Sequence, residues 1–233
     1  MGKISQKAER PSGGRKEPDT PNRTSDTRAT YDQRANGILE AATDLIAGVG
    51  YEQASMRAVA KAAGVSLAGL YHDFDSKEKM LFLIQFRTFS ALVNGLKEKL
   101  HGVTDPLEQL RVMIRTHVGY FAANMAALKV CSHELDSLAN EGYEEAFQLR
   151  REYYDLARAI VDRVFQAHAP DSTLDRHVAT MSLFGMLNWL YRWYEPKRGR
   201  APNGVAGQIA AQFLHGVIPA GDNARQKGGA HNR

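Results

Sequence analysis

The chain has 233 residues, 43% of them hydrophobic, with 30 Lys/Arg against 26 Asp/Glu and a single cysteine. That is apolar material for one large or two modest folded units, and Cys131 has no intrachain partner for a disulfide. No apolar run approaches the roughly 20 residues that a membrane-spanning helix needs, and no apolar signal segment begins the chain, so a cytoplasmic protein that leaves membranes alone is expected. Alternation of β-branched and aromatic residues is nearly absent, which predicts an all-α fold. The charge excess sits at the ends: residues 1–30 carry +3 and 220–233 carry +2, whereas 31–101 are neutral and 102–219 carry −1.

Residues 1–30 are rich in Lys, Arg, Ser, Gly, Pro and Asp and have little to bury, so they read as a disordered basic tail. Such a tail either solubilises the chain or reaches a nucleic-acid backbone. From Tyr31 to Gly48 one helix is expected, with Ile38, Ala41, Ala42, Leu45 and Ile46 as its apolar stripe, closed by Gly48 and Gly50. Ser55 is then a good N-cap, and Met56, Val59, Ala60 and Ala63 fall on one helical face. Gly64 supplies the positive φ that ends this helix at low cost. Ser66 caps a second, very short helix after a turn of about three residues. Leu70 and Phe74 must face inward, which leaves Leu67, Ala68, Gly69, Tyr71 and His72 outside. Helix, glycine turn, helix is the helix-turn-helix arrangement, whose second helix enters the DNA major groove. Small residues at its start allow close approach to base edges, and the tips of Tyr71 and His72 suit phosphate oxygens. Ser76 caps a third helix with Glu78 in its first turn, and Lys77 beside those amides suits a phosphate. Arg57, Lys61 and Lys79 can add a local basic face.

These residues carry a resemblance. The run Ile38-Leu39-Glu40-Ala41-Ala42, Gly50-Tyr51, Ser55-Met56-Arg57, Val59-Ala60, Ala63-Gly64-Val65-Ser66, Gly69-Leu70-Tyr71, Phe74 and Ser76-Lys77-Glu78 resembles the N-terminal domain of the TetR family of bacterial repressors. It departs at Asp73 and Asp75, where the family often has an aromatic or histidine and a neutral or basic residue. The resemblance implies double-stranded operator DNA as partner, a homodimer, and a C-terminal effector and dimerisation domain. It points to Ser55, Arg57, Ser66, Leu67, Ala68, Gly69, Tyr71, His72 and Lys77 as the DNA-contacting set. Domain bounds of 31–76 and 77–219 follow, with a disordered tail from 220 to 233.

Beyond the helix-turn-helix, a rod over 77–101 would be ~37 Å long. Gly102 to Pro106 breaks it, and Pro106 suits the first turn of the next helix. Helical spacing then runs over 106–130, over 143–168 after Asn140-Glu141-Gly142, over 174–194, and over 203–218 after a basic loop of Lys197, Arg198 and Arg200. The helix over 174–194 is apolar nearly all round, so burial on several sides is expected. Leu187, Leu190, Ile209, Phe213 and Val217 predict that the last two helices pair across a two-fold axis.

His133-Glu134-Leu135, Arg150 to Tyr154, and Gly185 to Tyr194 are similar to a TetR branch that answers to acyl-CoA thioesters. That similarity implies a small-molecule effector site using His133, Tyr154, Met186, Asn188, Trp189 and Arg192. Met113, Met125, Met181 and Phe184 would line an apolar acyl pocket, and Arg192 with the basic loop would meet CoA phosphates. The same residues also read as ordinary core and a solvated turn. No cofactor is expected. Gly64 to Gly69 lacks the spacing and the preceding strand of a nucleophile elbow, and Cys131 and His133, two apart, point to different faces of a helix. The other readings are a ligand-independent DNA-binding protein, a redox or metal sensor, or an enzyme on a helical scaffold; side chains that fill the effector pocket would favour the first.

Overall fold

A computed structural model of the chain describes residues 23–134, 144–196 and 199–218, with side chains from Asp32 onward. Every regular element among them is an α-helix: α1 Arg23–Val49, α2 Met56–Ala62, α3 Leu67–Asp73, α4 Lys77–Leu100, α5 Pro106–Ala123, α6 Met125–His133, α7 Glu144–His168, α8 Arg176–Asn188, α9 Leu190–Trp193 and α10 Pro202–Val217. The chain divides into two units, Met1–Arg34 and Ala35–Arg233; the site lies in the second. Residues 1–22 and 219–233, the break at 140–142 and the loop residues Lys197 and Arg198 lie outside the described residues.

Three expected helices have different bounds. The first begins at Arg23, not Tyr31; no Gly or Pro lies between Pro21 and Gly37, and a nucleated helix extends cheaply. The helix expected over 106–130 breaks at Asn124, where φ is −132° and ψ 49°. There the Asn124 side-chain amide donates to Tyr120 O at 2.7 Å, the local competition with the helix ladder that asparagine offers. The helix expected over 174–194 starts at Arg176, capped by Asp175, and stops at Asn188; α9 follows after Trp189.

Two apolar cores form. The first gathers Ile38, Ala42, Tyr51, Val59, Leu70 and Phe74 of the helix-turn-helix with Met80, Leu81 and Ile84 of α4. Val130 of α6 and Ala146 of α7 reach into this core from the C-terminal half. The second gathers Phe89, Leu92 and Leu96 of α4 with α5, α7, α8 and α10. Helix α4 thus contributes its first turns to one core and its remainder to the other. The apolar surface of α10 is consumed within the chain: Ile209, Phe213 and Val217 are buried, as are Leu187 and Leu190. The expectation that these five meet a partner is corrected by this packing, since α10 lies against α5 and α8. The exposed apolar side chains of this half are Leu174, Val178, Met181, Trp189 and Trp193, with Phe147 at the start of α7. Trp189, at 56% exposure, is not a core residue.

Gly64 has φ +67° and no atom within 4 Å of an added Cβ. Gly64→Ala should therefore cost only left-handed backbone strain, about 1–2 kcal/mol, read as a lower midpoint in chemical unfolding.

Candidate nucleic-acid interface and interior cavity

Serine caps start α2, α3 and α4. Ser55 Oγ accepts from Ala58 N at 3.2 Å, Ser66 Oγ from Gly69 N at 3.0 Å, and Ser76 Oγ from Lys79 N at 3.1 Å. Val65 N donates to Ala60 O at 3.0 Å across Gly64 and closes the turn. Leu70 is fully buried and Phe74 nearly so, which pins α3 to the first core. Leu67, Ala68, Tyr71 and His72 are exposed together on its outer side, beside half-buried Gly69, with Arg57 and Lys61 exposed on α2. The protruding helix carries small and polar groups outward, as groove entry requires.

Two side chains differ from the expected picture. Lys77 Nζ donates to Tyr51 O at 2.9 Å and sits 4.0 Å over the Tyr51 ring. It braces the corner after α1, so any phosphate contact by Lys77 shares its ammonium with that carbonyl. The Asp73 carboxylate is only 1% exposed and pairs with His72 Nδ1 at 3.0 Å. The first of the two acids that depart from the family pattern is thus turned inward, and Asp75 alone of the two is exposed. Glu78 is held below the usual carboxylate range, mainly by a backbone hydrogen bond, with the Ser76 and Tyr51 hydroxyls adding to it.

A cavity of about 490 Å³ lies among α4, α5, α6, α7 and α8, a size that suits a small-molecule ligand. Its walls are Phe89 and Leu92, His117 and Phe121, Leu128, Cys131 and Ser132, Phe147, Arg150, Arg151, Tyr153 and Tyr154, with Met181, Phe184 and Asn188. Rings dominate: His117 meets Phe121 edge-on at 4.7 Å, and Tyr154 stacks on Phe184 at 6.1 Å. Tyr154 Oη is anchored by His177 Nδ1 at 2.5 Å. Burial pushes the Cys131 thiol up to about 12 and raises Tyr153 likewise. Cys131 therefore stays a thiol, which removes the thiolate that a redox sensor would use. No group of three His, Cys, Asp or Glu that could hold a metal occurs among the described residues.

Of the residues expected at the effector site, Tyr154 and Asn188 line this cavity. The other four lie apart from its walls. His133 bonds Tyr191 Oη at 2.8 Å and borders a separate hollow with Gly50 and Glu134. Met186 packs half-buried on the second core, and Arg192 stacks over the exposed Trp189 ring at 5.7 Å. For Trp189 and Arg192 the break after Asn188 is the cause, because residues from Trp189 on leave the α8 face that looks inward. Met113 is plain core; Met181 and Phe184 do line the cavity. The cations at the cavity are Arg150 and Arg151, which sequence reasoning quoted but did not assign. Their signal was position: three and four residues after Phe147, they share its helical face.

His117 is fully buried and held neutral, its pKa lowered to about 3 by desolvation. The unfolded chain binds this proton near 6.5, so the contribution is whole above that pH and is lost as pH falls toward 3. A residue of this kind loses about 2 kcal/mol of stability between pH 6.5 and 5. His117→Phe should flatten that acid limb in denaturant midpoints compared at about pH 7 and about pH 5.

Three of the helices that wall the cavity, α4, α6 and α7, also contribute to the first core. Glu134, just after α6, accepts from Tyr51 N through Oε1 at 3.2 Å, and its carbonyl accepts from Gln85 Nε2 at 2.8 Å.

Two family models match the chain: bacterial regulatory proteins of the tetR family over residues 38–84, and the tetracyclin repressor-like C-terminal domain over residues 103–217. PfmR, a TetR family transcriptional regulator from Thermus thermophilus, is 32% identical with a TM-score of 0.67, covering 78% of this chain and 99% of that one. AibR, solved in complex with isovaleryl coenzyme A and operator DNA, is 26% identical with a TM-score of 0.67, covering 77% of this chain and 97% of that one. The transcriptional repressor KstR2 of Rhodococcus jostii is 27% identical over 199 residues, 85% of this chain and 97% of that protein.

Proposed function

This chain belongs to the TetR family of bacterial transcriptional regulators, and from that premise we propose that it is a homodimeric, cytoplasmic repressor released from its operator by an acyl-CoA thioester. The observation that carries the reading is the unfilled cavity, walled by α4 and α6, which both also enter the helix-turn-helix core. A DNA-binding protein with no effector would fill such a space with side chains, because interiors are close-packed. The apolar walls suit an acyl chain, and Arg150 and Arg151 suit phosphate oxygens. AibR, solved with isovaleryl coenzyme A and operator DNA, is a relative whose ligand has this chemistry. In this reading Leu67, Ala68 and Gly69 meet base edges, while Ser55, Arg57, Ser66, Tyr71, His72 and Lys77 meet the backbone.

The dimer forms through α8 and α10. Val178 and Met181 on α8 and Trp189 just after it are exposed, and Gly204, Gly207 and Ala211 keep the outer face of α10 low enough for close helix approach. Sedimentation at micromolar concentration should give a dimer, and Val178→Glu should give a monomer; a parent protein that sediments as a monomer contradicts the arrangement.

Genomic fragments selected on the purified protein, then footprinted, test the DNA reading. The expected product is a short palindrome overlapping a promoter. Equal retention of random competitor DNA would refute sequence-specific binding.

A further inference from the structure

We propose that the cavity selects a ligand whose apolar body carries a neutral oxygen function, a carbonyl or a hydroxyl, placed to pair with His117 Nε2. The inference rests on the reading of the cavity as an effector site.

His117 lies within α5, is 2% exposed and lines the cavity. Its Nδ1 is taken by Tyr153 Oη at 3.1 Å. Its ring packs edge-on with Phe121 and Phe184, at 4.7 and 6.4 Å between centroids. Nε2 is left with no protein partner. A buried ring nitrogen without a partner is destabilising, so native structures pair nearly all such atoms with protein or ordered water.

Ligand chemistry follows from what can stand at Nε2. A hydrocarbon chain that excludes water there leaves the nitrogen unpaired, and the loss counts against binding. A carboxylate there would face a neutral imidazole, because burial keeps His117 uncharged. Its desolvation would go uncompensated. Negative charge belongs instead at Arg150, half-buried, and Arg151, exposed. A neutral oxygen at Nε2 satisfies the nitrogen and brings no charge into the interior. If the Tyr153 hydroxyl donates to Nδ1, Nε2 carries the hydrogen and a carbonyl or a hydroxyl accepts it. In the opposite tautomer only a hydroxyl donates to Nε2.

The test is calorimetric binding to the full chain of decanoyl-CoA and of decanoyl-CoA bearing an oxo or hydroxyl group at carbon 5, 7 or 9. The same chains are measured as free acids. At least one oxygenated member should bind tenfold or more tightly than its plain parent. His117→Phe, which keeps the ring and removes both nitrogens, should reduce that ratio to within threefold, and His117→Gln should keep part of it. Plain chains binding as tightly as every oxygenated one, or an undiminished ratio in His117→Phe, overturns the proposal. So does the absence of binding by any member of either series. Thioesters that show the preference without releasing operator DNA would sink the sensor reading and support this one. Free acids that show it while thioesters do not bind would sink only the CoA assignment.

Discussion

Replacing Ala68 by glutamate should reduce operator affinity by about a thousandfold or more, ~4 kcal/mol, with the fold intact. Ala68 is exposed in the first turn of α3, on the side of Leu67 and Tyr71. A carboxylate there meets phosphates and acceptor-rich base edges, and a dimer brings it to both half-sites at once. Nothing buried changes, so unfolding should stay within about 0.5 kcal/mol of the parent. Fluorescence anisotropy at fixed salt reads the affinity, and an unchanged value would place a different surface on the DNA. Tyr71→Phe should act more mildly and alike on all sequences, because a phosphate contact carries no sequence information.

The second large effect concerns coupling. Glu134→Ala should raise the effector concentration needed for half-release at least tenfold while operator affinity without effector stays within a few-fold. Three residues of α6, Leu128, Cys131 and Ser132, line the cavity, and Glu134 at its end accepts from Tyr51 N. Tyr51 is in turn held through its carbonyl by Lys77, the first residue of α4. A ligand that pushes on α6 therefore pulls on the corner where α1 ends and α4 begins. Ligands shift an equilibrium only through differential affinity for its two states, and the Glu134 link is where the two cores can feel that difference. Removal of one hydrogen bond also lowers stability by about 1 kcal/mol, so half-release is compared at a temperature where both proteins are folded. An unchanged effector response would assign the coupling to α4 and to the core contacts of Val130 and Ala146. Arg192→Ala, outside the cavity, should leave the response unaltered.

The DNA-facing half was legible because its signals are local. Ser55, Gly64, Ser66 and Ser76 set helix ends within a few residues of themselves, and Leu70 and Phe74 had only one side to face. The cavity was less legible because it is assembled from five helices. Tyr154 and Asn188, expected at an effector pocket, do line the cavity. Trp189 and Arg192 were carried outward by a break one residue after Asn188 that the apolar pattern did not announce. Asn124 split another helix by a side-chain hydrogen bond to Tyr120 O, which periodicity cannot register. The side chains named for pairing across a two-fold axis turn out to be claimed within the chain for a related reason: Ile209 and Phe213 look unclaimed in sequence until α5 is known to cover them.

Operator DNA labelled with a fluorophore and titrated with decanoyl-CoA and isovaleryl-CoA in the presence of the purified protein tests the account most directly. It predicts that one of them lowers operator affinity at least tenfold, and that Arg150→Ala with Arg151→Ala removes the response while binding of DNA persists. Operator affinity unmoved by either thioester at saturating, calorimetrically verified occupancy would contradict it.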